Sequence, residues 1–215
     1  MTGVQTCALP ISNSTNELLE RFGARALPVE RVASFVGEGA KKLVERALSV
    51  SGLDPKRPGA LEAFRAIYDR RLLEHTRPYD GIADVIRRAQ PTARLAVFTN
   101  KPEGPSRRLL EAFGLARAFQ WIIGGDSGFP RKPDPAAVAH LMREAGAVAS
   151  DTLFVGDSMI DVDTARQAGV KMCVARYGFG ALREELVLTG EEFVAETPAD
   201  VGTAIERLLT SLPTS

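Results

Sequence analysis

The hydrophobic rhythm of the chain changes once. From about Asn13 to His75, apolar residues recur at spacings of three and four. "GAKKLVERALSV" sets Leu43, Val44, Ala47 and Leu48 on one face. "RPGALEAFRAIYDRRLLEH" does the same with Leu61, Phe64, Ile67, Tyr68 and Leu72. That period predicts amphipathic helices. "STNELLERFGA" begins another, with Ser14 or Thr15 as its N-cap. Gly23, Pro28, Gly52, Pro55 and Pro58 punctuate the stretch. Residues 13–77 therefore read as a small helical unit without strands.

At "RPYDG" the rhythm shifts. "RLAVFTN", "WIIGGD", "DTLFVGDS" and "KMCVARYG" are short apolar runs that end in polar residues or glycine. "EGPSRRLLEAFG", "DPAAVAHLMREAG" and "MIDVDTARQAG" lie between them with helical spacing. "EFVAETPADVGTAIERLL" adds a strand-like piece and a final helix. Short apolar runs alternating with helices predict an α/β domain over residues 78–215. Its core is a doubly wound, Rossmann-like parallel sheet.

Composition narrows the class. Twenty-seven basic and 27 acidic residues balance in a chain of 215. That balance gives no electrostatic reason to expect nucleic acid or an anionic membrane as partner. The two cysteines, Cys7 and Cys173, form no metal-binding or redox spacing. His75 and His140 read as a turn residue and a helix residue. No apolar run approaches the roughly 18 residues of a membrane span, and the N-terminus lacks the pattern of a secretory signal. A cytoplasmic protein is the expectation.

In a doubly wound sheet, ligands bind beyond the carboxyl ends of the strands. Those ends carry Thr99-Asn100-Lys101, Gly124-Gly125-Asp126-Ser127 and Gly156-Asp157-Ser158, with Asp161 one turn later. Asp157 and Asp161 suit a hard cation such as Mg²⁺. They equally suit a turn and a helix N-terminus. Lys132, in "RKPDP", is a surface residue or a phosphate neutraliser on a stiff Pro-x-Pro frame. Thr99 and Asn100 hold phosphate oxygens or cap the next helix. "ARYGFG" ends a strand on the same face, as a closing loop or as a plain turn.

The combination is more specific than its parts. "VFTNKP", "IIGGDSGFPRKPDP" and "LFVGDSMIDVDTARQAGV", in this order, resemble the haloacid dehalogenase superfamily, and within it the phosphoglycolate phosphatase branch. "VASFVGEGAKKLVERAL" resembles that family's helical cap, with Gly37 and Gly39 near the substrate. The resemblance implies Mg²⁺-dependent hydrolysis of a small phosphorylated metabolite through an aspartyl-phosphate. It implies Thr99 and Lys132 as catalytic groups, and Asn100, Gly37 and Gly39 as substrate contacts. Asp157 would bind the metal, and Asp161 would assist it or orient Lys132. A monomer or homodimer is expected.

One family element is absent from the text. The first strand of that family ends in Asp-x-Asp-Gly-Thr, whose first aspartate is the nucleophile. Residues 1–12, "MTGVQTCALPIS", contain no acid, and Asp54 and Asp69 fall in the cap. Written back into codons, Met1 to Ile11 resembles a sequencing-adapter oligonucleotide; a natural divergent N-terminus is the alternative. The chain as written is therefore expected to be an inactive fragment. The resembled fold sets its first strand centrally, between the strands ending at Thr99 and Asp157. Two unpaired apolar edges would then favour a loose core or poor solubility, with "VQTCALPI" filling the gap in part. Pyrophosphate, a sugar phosphate or a phosphonate are the alternative substrates, and a non-catalytic binding module on the same fold is the alternative role.

Overall fold

The computed structural model describes residues 4–6, 8–74, 76–182 and 185–211. Cys7 and His75 fall outside them. The chain divides into two compact units, Thr6–Arg77 and a larger one made of Met1–Gln5 with Pro78–Ser215. Two short strands, β1 (Val4–Thr6) and β2 (Thr76–Pro78), pair with each other where the chain passes between units.

The smaller unit contains four helices: α1 (Ala8–Arg21), α2 (Val29–Ala33), α3 (Ala40–Val50) and α4 (Ala60–Arg71). Its core gathers Leu18 and Leu19 of α1 with Leu43, Val44 and Leu48 of α3 and Phe64 and Ile67 of α4. These are the positions that the helical period selects. The N-cap expectation at Ser14 or Thr15 is corrected. Both lie inside α1, and their hydroxyls donate to the carbonyls of Pro10 (2.6 Å) and Ile11 (2.8 Å) one turn back. Pro10 sits in the first turn of the helix, where a missing N–H costs nothing. So Ala8–Ile11 is helix, and Val4–Thr6 pairs with β2. That corrects the expectation that this stretch fills the central sheet as a strand. Asn16 spans α1 and the following loop by bonding both the carbonyl and the amide of Leu27. Glu17 accepts from Arg21, Arg70 and Arg71, which joins α1 to the end of α4.

The larger unit alternates as its sequence predicts: α5 (Ile82–Ala89), β3 (Ala96–Phe98), α6 (Glu103–Ala112), β4 (Trp121–Ile123), α7 (Ala136–Ala145), β5 (Leu153–Gly156), α8 (Met159–Ala168), β6 (Lys171–Ala175), β7 (Phe193–Ala195) and α9 (Pro198–Thr210). The β3–β4, β5–β6 and β6–β7 pairings are all parallel. Successive strand residues face opposite layers. Phe98, Ile123, Met172 and Val174 pack with α7 and α8 residues such as Val138 and Val162. Cys173 packs with Val85 of α5 and Val201 and Ala204 of α9. Val97 and Ile122 pack with Leu110 of α6.

The ladder is not continuous. Among the described residues β3 pairs with β4, and β5 pairs with β6 and then β7, but β3 and β5 belong to separate sheets. A cavity of about 500 Å³ lies along both of them.

The Cys173 thiol is fully buried, and that burial, with the charge of Asp200, pushes its pKa up to about 12. In the folded chain it should resist alkylation, since the thiolate is the reactive form. Peptide mapping after iodoacetamide treatment is expected to show Cys173 modified slowly in buffer and fast in denaturant. Equal rates would instead indicate the loose core that the sequence pattern warns of.

Candidate active site

The site is assembled at the carboxyl ends of β3 and β5. Thr99 and Asn100 follow β3 directly and are both buried. Asp157 follows β5, and Asp161 lies in the first turn of α8. Lys132 comes from the loop between β4 and α7. Three segments distant in sequence thus meet at the carboxyl ends of these two strands.

The centre is an ion pair. Lys132 Nζ lies 2.5 Å from Asp161 Oδ1, and the two side chains are only 9% and 6% exposed. The other oxygen of Asp161 accepts from the amides of Asp157 (3.1 Å) and Ser158 (3.2 Å) and from the Ser158 hydroxyl (2.6 Å). Burial alone would raise the carboxyl of Asp161. The charge and hydrogen bond of Lys132, with the bond from Ser158, outweigh it and hold the pKa at about 2. Ser158 and Asp161 form a capping box, so the turn that starts α8 also fixes the carboxylate. Gly156 is required here. A Cβ on it would stand 2.2 Å from that of Asp161.

Asn100 holds the other end of the lysine. Its side-chain amide donates to the Lys132 carbonyl (3.2 Å), and its side-chain oxygen accepts the Lys132 amide (2.9 Å). Lys132 is thereby fixed at backbone and ammonium. The ammonium also lies 5.9 Å from the ring centres of both Phe98 and Phe154, one on each flanking strand. The Thr99 hydroxyl accepts the Lys101 amide at 3.2 Å, which leaves its own O–H available to donate.

Asp157 differs electrically from Asp161. Burial raises its carboxyl, and the neighbouring charge of Asp161 raises it further. Its Oδ2 accepts from the Gly180 amide at 3.0 Å. Here "ARYGFG" finds its role. A Cβ on Gly178 would stand 2.3 Å from the Asp157 Cβ, and one on Gly180 would stand 2.6 Å from the Asp157 carbonyl oxygen. Two glycines let the loop press directly on the carboxylate. Tyr177 in the same loop stacks edge-on against Tyr79, with ring centres 4.9 Å apart.

Among the described residues only Gly180 donates to the Asp157 carboxylate, in a setting where its charge is costly. That fits a hard cation held by one carboxylate plus substrate oxygens and water. Asp161, by contrast, has both of its oxygens engaged. No group of three or more acidic, His or Cys side chains suited to a metal occurs among the described residues.

The strand end at Gly124-Gly125-Asp126-Ser127 serves α6 instead. Ser127 donates to Glu103 (2.7 Å), and Asp126 accepts the Glu103 amide (2.7 Å). Gly37 and Gly39 belong to the helical unit, in the turn before α3, at φ 134° and 91°. Gly156, Ser158, Gly178 and Gly180 stand in stretches that the sequence marks at this face, but it gives them no role of their own. The signal existed, as glycine beside aspartate or aromatic, but it does not say which backbone comes close.

This site and fold define a haloacid dehalogenase-like hydrolase, and the chain belongs to that family, which it matches over residues 8–175. Among its relatives is a phosphoglycolate phosphatase of Pseudomonas syringae pv. syringae, 36% identical over 202 residues, covering 91% of this chain and 71% of that protein. Another, from Rhodospirillum rubrum, is 36% identical and covers 94% and 87%. A solved structure of a predicted phosphoglycolate phosphatase from Haemophilus somnus superposes with a TM-score of 0.84 at 24% identity, covering 94% of this chain and 92% of that one. No helix among the described residues is long and apolar enough to cross a membrane.

Asp161→Asn should cost about 3–5 kcal/mol, because it leaves Lys132 buried without its counter-charge. Urea denaturation measures this. The Asp161 carboxyl sits below its ordinary 3.8, so its stabilisation is complete above about pH 4 and is lost as pH falls toward about 2. The variant should lack that acid-limb loss.

Proposed function

We propose that the chain forms the phosphate-handling part of a Mg²⁺-dependent phosphomonoester hydrolase acting on 2-phosphoglycolate. The observation that carries this reading is the Lys132 ammonium, locked on Asp161 next to Asp157 at the strand ends. An ammonium has three donors, so one bond to Asp161 leaves others for phosphoryl oxygens. Thr99 donates its hydroxyl to the same group. Asn100 keeps Lys132 in place, and Asp161 sets the lysine's direction rather than binding metal. Asp157 holds the cation, positioned by the Tyr177–Gly180 loop. Mg²⁺, when bound, shields phosphate charge during transfer. Two relatives named phosphoglycolate phosphatase support the substrate. A part for Gly37 and Gly39 in substrate contact belongs to the same proposal. A reducing, cytoplasmic setting suits the free Cys173 thiol.

Turnover in this family reading needs a carboxylate nucleophile, and the sequence contains no Asp-x-Asp-Gly-Thr. Phosphate release from 2-phosphoglycolate with Mg²⁺ is therefore expected at background. Replacing residues 1–12 by an apolar strand ending in Asp-x-Asp-Gly-Thr should create activity, with 2-phosphoglycolate preferred over pyrophosphate and sugar phosphates. Turnover by the unaltered chain would overturn the inactivity. A repaired chain that binds phosphate without hydrolysis would favour a binding module.

Metal binding has its own readout. At ten times its dissociation constant, Mg²⁺ should stabilise the chain by about 1.4 kcal/mol. Asp157→Asn should abolish that shift while raising metal-free stability, since it removes a charge that folding disfavours. An unchanged Mg²⁺ shift in the variant would remove Asp157 from the metal site.

A further inference from the structure

We propose that Tyr79 is a positioning residue for Asp157: its hydroxyl pins the Tyr177–Gly180 loop, and the loop pins the carboxylate. The consequence for metal binding rests on the function proposed above. The positioning itself does not.

The loop carries successive amides that each need a partner, because a buried N–H left alone is costly. The Gly178 amide donates to the Ala175 carbonyl at 2.9 Å. The Gly180 amide donates to Asp157 Oδ2 at 3.0 Å. The amide between them, that of Phe179, donates to the Tyr79 hydroxyl. The strand end fixes the first and the site carboxylate takes the second. The middle one depends on a side chain far away in sequence.

Neither Gly178 nor Gly180 has a left-handed φ. Their missing Cβ atoms serve clearance, since a Cβ would stand 2.3 Å and 2.6 Å from atoms of Asp157. Glycine gives the loop room to approach, but it also costs the most backbone entropy to hold there. Tyr79 supplies the hold in two ways. Its hydroxyl takes the Phe179 amide, and its ring meets the Tyr177 ring edge-on, 4.9 Å between centres at 78°. Tyr79 is itself fixed. Its carbonyl accepts the Ile82 amide at 3.0 Å where α5 begins, and its ring packs on the cluster of Ile82, Val85 and Cys173.

The chemistry of the anchor suits its place. A carboxylate could accept the same amide, but it would set another negative charge near Asp157, whose charge Asp161 already opposes. A phenol accepts without charge. Burial and the charge of Asp157 raise the Tyr79 hydroxyl, so it stays protonated. Tyr177 differs. Its hydroxyl is buried and bonds to no described residue. Its ring contributes to the contact, and its oxygen does not hold the loop.

The two tyrosines should therefore respond differently to the same substitution. Tyr79→Phe and Tyr177→Phe each keep a ring and lose an oxygen. Hydrogen exchange of the metal-free full chain, resolved by residue with NMR, is the first readout. In Tyr79→Phe the Phe179 and Gly180 amides should exchange at least about fivefold faster, the ratio expected for one lost hydrogen bond. The Val174 amide in β6 should keep its rate. Tyr177→Phe should leave the Phe179 and Gly180 amides at the wild-type rate. An unchanged Gly180 amide in Tyr79→Phe, equal acceleration in both variants, or acceleration that extends to Val174 would each overturn the proposal. Mg²⁺ gives the second readout, through its shift of thermal unfolding. Tyr79→Phe should raise the Mg²⁺ dissociation constant at least about fivefold, matching the loss at Gly180. Binding as tight as in the wild-type chain would overturn the proposal. A wild-type chain without any Mg²⁺ shift would instead remove the metal reading, and the exchange rates would still decide on Tyr79.

Discussion

The Lys132–Asp161 ion pair is the constraint on which the site depends. Two opposite charges with side chains less than a tenth exposed survive only if the surrounding groups satisfy them. Ser158 and the amide of Asp157 complete the carboxylate, and Asn100 fixes the lysine backbone. These bonds tie the end of β3, the loop before α7 and the start of α8 to one another. No single element could be moved without exposing or orphaning a charge. Gly156 is part of the same constraint, because only a residue without Cβ lets Asp161 come so close.

The pair also explains why two neighbouring aspartates behave in opposite ways. Asp161 is neutralised by Lys132, and its carboxyl is held low. Asp157 is close to the charge of Asp161 and receives one backbone donor from Gly180, and its carboxyl is raised. Environments that push two like groups apart separate their roles. One is committed to orienting a cation of the protein itself, and the proposed function gives the other a cation from solution. The loop from Tyr177 to Gly180 positions Asp157 by contact, through the Gly180 amide and the close approach of Gly178.

The split ladder bears on both fold and site. The candidate site residues come from two strand ends, Thr99 and Asn100 after β3 and Asp157 and Asp161 after β5. Lys132 bridges them. Its ammonium reaches Asp161 while its backbone is held by Asn100.

Much of this was legible in the residues themselves. The change from a 3.6-residue period to short apolar runs separated the helical unit from the α/β unit. Strand ends in Thr99-Asn100 and Gly156-Asp157 located the site, because backbone direction dictates which end of a parallel sheet is open. The start of α1 was misread, since Ser14 and Thr15 cap as readily as they bond back to Pro10 and Ile11. Local spacing does not distinguish the two. Sequence also placed Asp161 equally well on a metal or on Lys132. Only tertiary structure decided that its oxygens go to Lys132 and Ser158, that Asn100 grips a loop 32 residues away, and that Gly178 and Gly180 press on Asp157. Periodicity is a property of neighbouring residues and is written in the chain. Close approach between distant backbones depends on how the layers pack, and it exists only once they have.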